Sequence, residues 1–159
     1  MKKIIVLITI LVIYGCNNTP YLQENSAFIL WKTSSFKYAD MGFIYQNSDE
    51  VKLQIYANGQ SVMSLRVMED SICMSALECM SKTNFNQKVL NSNYPKDILT
   101  HILKAKPIFD KKDIKYTQSG FIQNIKKANS YNIKYKVSKN KIEFIDTLNN
   151  ITIKIIKDI

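Results

Sequence analysis

The stretch from Val51 to Val67 restricts the fold more than any other part of the chain. Val51, Leu53 and Ile55 alternate with Lys52, Gln54 and Tyr56; Asn58-Gly59 follows; Met63, Leu65 and Val67 then resume the alternation with Ser64, Arg66 and Met68. A side-chain period of two places the apolar set on one face of a strand, and Asn-Gly is the preferred pair for a two-residue hairpin turn. The spacing predicts an antiparallel hairpin with one buried face and one wet face. Before it, Ser35 to Gln46 carries Phe36, Tyr38, Phe43 and Tyr45, with a slip near Asp40-Met41-Gly42 that reads as a bulge. Asn47-Ser48-Asp49 and Glu69-Asp70 supply turns, and Ser71 to Met74 is a short strand.

The period then changes. Ser81 or Thr83 can cap a short helix with Phe85, Val89 and Leu90 on one side. Pro95 stands where a second helix begins, with Asp97 in its first turn. Ile98, Leu99, Ile102 and Leu103 form its apolar stripe, and Pro107 stops it; His101 lies off the stripe, on the surface. Alternation returns in Phe121 to Ile125, Tyr131 to Val137, Ile142 to Asp146 and Ile151 to Ile155, with Asn149-Asn150 turning between the last two. Strands, two helices and strands again, joined by hairpin-length connections, predict an antiparallel α+β domain whose helices cover the apolar sheet face.

The start of the chain fixes a compartment. Lys2 and Lys3 precede an apolar run from Ile4 to Ile13, and Gly15-Cys16 follows. A charged start, a brief apolar stretch and a small residue before the cut describe a secretory signal. The run is half the ~20 residues of a membrane-spanning helix. Ile13-Tyr14-Gly15-Cys16 resembles the lipobox of bacterial lipoproteins, so residues 1–15 are expected to be removed and Cys16 lipidated. One acyl chain holds a protein to a bilayer only reversibly, whereas the two or three of such an anchor hold it stably. Asn17 is not the aspartate that signals inner-membrane retention. The expectation is a lipid anchor on the periplasmic side of the outer membrane, a tether over 16–26 and one domain over 27–159.

About 144 residues then remain, enough for one core. Charge is unevenly placed: residues 16–100 hold seven basic and eight acidic side chains, residues 101–159 thirteen and five. A basic C-terminal part suits anionic headgroups or an acidic partner, or forms the solvated face of a sheet. Export removes nucleic acid as a partner, and no nucleic-acid-binding signature is present. With Cys16 spent on lipid, Cys73 and Cys79 form an even pair in an oxidising compartment and are expected to be disulfide-bonded. The single histidine leaves no metal-spaced cluster, and neither a nucleophile elbow nor a phosphate loop occurs. No enzyme activity, cofactor or metal is expected.

Gly42-Phe43-Ile44-Tyr45-Gln46, the run from Leu53 through Asn58-Gly59 to Cys73, and Tyr94-Pro95 to Lys106-Pro107-Ile108-Phe109 together resemble the LolA/LolB superfamily. Its members carry lipoproteins across the periplasm or receive them at the outer membrane. An anchored member would be LolB-like. The resemblance implies a strongly curved antiparallel sheet, an open half-barrel, covered by two or more short helices. It also implies an apolar cavity for acyl chains, lined by Phe43, Tyr45, Leu53, Ile55, Leu65, Val67, Leu99, Leu103, Ile133 and Tyr135. Partners would be acyl chains, other lipoproteins and a periplasmic carrier, with the protein itself a monomer. Two departures stand out: eight or nine strands are legible, fewer than a full sheet of that family, and Asn58 occupies the loop position where the acceptor carries a protruding apolar residue. The alternative is a structural or assembly lipoprotein that holds a protein partner without a lipid cavity.

Overall fold

The computed structural model describes residues 20–75 and 78–157. The signal sequence, Cys16 and the first part of the expected tether lie outside the described residues. Among the described residues eleven strands occur in chain order: β1 (Gln23–Lys32), β2 (Lys37–Gln46), β3 (Val51–Ala57), β4 (Gln60–Val67), β5 (Ser71–Met74), β6 (Cys79–Ser81), β7 (Ile114–Thr117), β8 (Gly120–Lys127), β9 (Tyr131–Val137), β10 (Lys141–Asp146) and β11 (Ile151–Lys157). Between β6 and β7 come helices α1 (Lys82–Val89) and α2 (Ile98–Leu103) and a tight turn at Phe109–Lys111. The strands form one sheet in the order β6-β5-β4-β3-β2-β1-β11-β10-β9-β8-β7, each antiparallel to its neighbours. Two meanders of hairpins are thus zipped together by one long-range pairing, β1 with β11.

This architecture corrects the expected fold class. Strands occupy 54% of the described residues and helices 12%, and the sheet is neither closed nor strongly curled. The physical reason lies in the register. The bulge expected at Asp40-Met41-Gly42 is absent, because β1 and β2 pair without interruption from Gln23↔Gln46 to Lys32↔Lys37. Bulges bend sheets, and the register shift found in this region falls between Ile55 and Tyr56, at the end of the β3–β4 hairpin. Gly42 marks close packing: a Cβ there would lie 2.1 Å from the Gln54 carbonyl oxygen. Helices of eight and six residues cover only part of so wide a sheet.

The Asn58-Gly59 turn forms as predicted, with φ of 52° and 77°, the left-handed pair that a two-residue turn requires. Over 51–55, 63–67, 131–137, 142–146 and 151–155 every second side chain is buried on the inner face. The helices lie on that face: α1 packs against β5 and β6, α2 against β10. They contribute Phe85, Val89, Ile98, Leu99, Ile102 and Leu103 to one core with the strands. Ser81 caps α1, accepting the Asn84 N–H at 3.2 Å. Asp97 takes the cap position of α2 without a side-chain cap bond, because its carboxylate is engaged elsewhere.

Candidate functional site

The ten residues expected to line a cavity divide in two. Leu53, Ile55, Leu65, Val67, Leu99, Leu103, Ile133 and Tyr135 expose at most 2% of their surface and belong to the contiguous core. Phe43 and Tyr45 alternate with the buried Gly42 and Ile44, so they stand half-exposed on the outer face of the sheet. Two residues with that phase cannot share an interior with the other eight. Phe43 packs instead against Tyr45 and edge-on to Tyr56. Around Tyr135 the interior is aromatic: Phe121 and Phe144 contact it, and Tyr94 bridges Phe144 and Tyr131. Two polar atoms in this interior, Trp31 Nε1 and Tyr135 Oη, have no hydrogen-bond partner among the described residues. They belong to one lateral row across the sheet, Trp31–Ile153–Phe144–Tyr135. Burial pushes the Tyr135 hydroxyl above its ordinary pKa.

Cys73 and Cys79 are joined, as expected, in a disulfide between directly opposed residues of β5 and β6. Among the described residues no group of three or more His, Cys, Asp or Glu side chains could hold a metal ion. His101 is half-buried on α2.

A cleft of about 740 Å³ opens where the Ser48-Asp49 and Met68–Asp70 turns meet the two helices. Lys82 and Asp97 both line it. Lys82 is the first residue of α1, where the helix dipole disfavours a cation, and it is only 3% exposed. Asp97 stabilises it: the ammonium donates to the carboxylate at 2.7 Å, and that bond holds the Asp97 carboxyl below its usual pKa. Beside this pair Lys96 donates to Asp70 at 3.0 Å at the mouth. Thr100 also lines the cleft, its Oγ1 buried without a partner among the described residues. With Asp49, Glu69 and Lys104 the wall carries both signs of charge. Such a wall offers ion pairs and hydrogen bonds to a charged guest. Sequence reasoning read these residues as turns and helix ends. The one available signal was Lys82 directly after the capping Ser81, a cation where helices favour anions.

On the outer face a second cluster anchors the incoming chain. The Tyr21 ring packs on Tyr45 at 5.3 Å, and its hydroxyl donates to the buried Glu50 carboxylate. Arg66 donates to the other oxygen of Glu50 at 2.8 Å. Burial and the Glu50 bond push the Tyr21 hydroxyl up to about 12. The Leu22 N–H donates to the Gln46 carbonyl at 2.9 Å, so the sheet begins before residue 27, and Gln23 to Ser26 of the expected tether are strand. Among the described residues no helix is long and apolar enough to cross a membrane. A scan of protein-family models finds none that matches this chain, and a search of curated proteins finds no significantly similar sequence.

Proposed function

We propose that the protein is a non-catalytic lipoprotein, anchored through Cys16 on the periplasmic side of the outer membrane, that holds a protein partner in the mixed-charge cleft. The observation that carries this reading is the fate of the apolar residues. Eight of the ten expected to receive acyl chains are consumed in the core, while the accessible concavity at the helices is lined by Lys82, Lys96, Asp70 and Asp97. A guest in that cleft would be read by charge and hydrogen bonding. The lipobox-like segment Ile13-Tyr14-Gly15-Cys16 supports the anchor.

A second reading, LolB-like reception of acyl chains, is favoured by one observation: Trp31 Nε1 and Tyr135 Oη lie buried in the core with no hydrogen-bond partner among the described residues, and a polar group on a guest would satisfy them. The two readings separate by mass spectrometry of organic extracts from the folded protein carrying Cys16→Ala. Absence of acyl species supports the cleft reading. Acyl chains at stoichiometric yield, lost on Leu65→Asp or Ile133→Asp with the fold retained by circular dichroism, would replace it with the second.

A further inference from the structure

We infer that the outer face of the sheet lies against an anionic lipid surface, so that the helices and the cleft point away from the membrane. The inference rests on the lipid anchor proposed above, and three independent features of the fold carry it.

The first is where the chain enters. Tyr21 packs at a tilt on Tyr45 and is bonded to Glu50, both on the outer side of the sheet. From Cys16 to Tyr21 there are five residue steps, which span about 18 Å at most when fully extended. An acylated Cys16 therefore keeps the Tyr21 end of this face close to the bilayer surface. Leu22, 77% exposed, stands at the point of entry.

The second is charge. Strand phase and register place Lys32 on β1, Lys37 on β2, Lys115 on β7, Lys126 on β8, and Lys134 and Lys136 on β9 on this outer face, all exposed. The carboxylates on the same face are few and mostly engaged. Glu143 is flanked by Lys154 at 2.8 Å and Lys141 at 3.3 Å, Glu50 is held by Tyr21 and Arg66, and Glu24 lies at the start of β1 opposite Tyr45. A flat field of lysines is attracted to anionic headgroups over about one Debye length.

The third is the apolar content of the same face. Met41 is 46% exposed and stands directly opposite Phe28, which in turn stands opposite Ile156. With Phe43 beside them they form an apolar strip on the face that carries the lysines, as interfacial surfaces combine the two. An acidic protein would match the lysines, but the short tether and the apolar strip add the bilayer as the surface always within reach.

The test uses the full lipidated chain in vesicles. Cys73 and Cys79 are bonded and Cys16 would be a thioether, so one introduced cysteine carries a fluorophore. Met41→Cys reports the outer face and Lys88→Cys, exposed on α1, the opposite side. In vesicles of phosphatidylglycerol and phosphatidylcholine containing a bilayer-borne quencher, the label at 41 is quenched and the label at 88 is not. Raising the salt to about 0.5 M relieves the quenching. Lys134→Gln combined with Lys136→Gln lowers the ratio of face-down to detached protein by about thirtyfold. Equal quenching at 41 and 88, or none at 41 in vesicle-bound protein, overturns the inference; shielding of the label at 41 by a second copy in detergent does so too. Failure of the anchor is read separately, as an unmodified Cys16 in the mass spectrum. Added anionic vesicles then decide the face by the same two labels.

Discussion

Tyr94, in the connection between α1 and α2, donates its hydroxyl hydrogen at 2.5 Å to the carboxylate of Asp146, the last residue of β10. Fifty-two positions apart, the two tie the helical layer to the second meander. Asp146 is fully buried and accepts three further bonds, from Asn149 Nδ2 at 2.6 Å and from the Asn132 and Leu148 N–H groups at 3.0 Å. Burial, and then the Asp146 bond, push the Tyr94 hydroxyl far above its ordinary pKa. Hydrogen bonds to a charged group contribute about 1.5–3 kcal/mol each. Tyr94→Phe is expected to destabilise by that amount. Asp146→Ala should cost more, because it strands the tyrosine hydroxyl and two backbone donors together. Urea unfolding of both variants checks the order; equal losses would show that the backbone donors find other partners.

Much of this arrangement was legible. Val51 to Val67, Tyr131 to Val137 and Ile151 to Ile155 show clean alternation because one face is buried and the other wet, and there the strands lie where the period places them. β1 escaped detection because Phe28 and Leu30 on its outer face are as apolar as Ala27, Ile29 and Trp31 on its inner face, which erases the period. β6 and β7, at three and four residues, are too short to show one. The phase of Gln123 with Phe121 and Ile125, and of Asp146 with Ile142 and Phe144, was itself a signal of buried polar groups. Their partners, 15 and 52 positions away, were not legible, because no local rule links them. Nor was the cleft, since the sequence separation of Lys82 and Asp97 hides a contact made only when two helices fold back on one another.

Acid sensitivity follows from Glu143. Lys154 above all, and Lys141 with it, hold the Glu143 carboxyl below its ordinary value of 4.5. A carboxylate lowered in the folded state contributes stability that is present above the unfolded value and is lost as pH falls through the folded one. Asp97, lowered by Lys82, has the same sign. Wild-type and Glu143→Gln proteins should therefore differ at pH 7, with the wild type the more stable, and converge as the pH falls below about 4. Chemical denaturation at pH 7, 5, 4 and 3 measures this. A gap that widens in acid would contradict the assignment.

Reduction of the Cys73–Cys79 bridge acts mainly at one edge. A loop of about seven residues contributes roughly 2.4 kcal/mol by the chain-closure relation, and β6 is three residues long, bordered by β5 on one side. Cys73→Ala with Cys79→Ala is expected to lower stability by about 2 kcal/mol or less. Amide exchange of β6 should speed up more than that of β3 or β11. Titration of the oxidised, denatured protein should find neither Cys73 nor Cys79 as a free thiol; two equivalents of thiol there would show that the bond does not form in the protein as made.

The turn after Pro107 depends on a single side chain. Phe109, Asp110 and Lys111 have φ of 47°, 51° and 65°, a left-handed run that costs non-glycine residues about 1–2 kcal/mol each. Gln123, fully buried on β8, brackets it. Its Oε1 accepts the Ile108 N–H at 2.9 Å, and its Nε2 donates to the Ile108 carbonyl at 2.9 Å and the Lys112 carbonyl at 2.7 Å. Leucine fills similar volume but satisfies none of the three. Gln123→Leu is expected to destabilise by about 2–3 kcal/mol, since buried backbone groups of Ile108 would be left unpaired. It should also release residues 109–113 toward ordinary negative φ, visible as a change in their backbone chemical shifts while those of β3 and β4 stay in place. Unchanged shifts together with a loss under about 0.5 kcal/mol would mean that the turn holds itself, and that Gln123 follows its geometry and does not impose it.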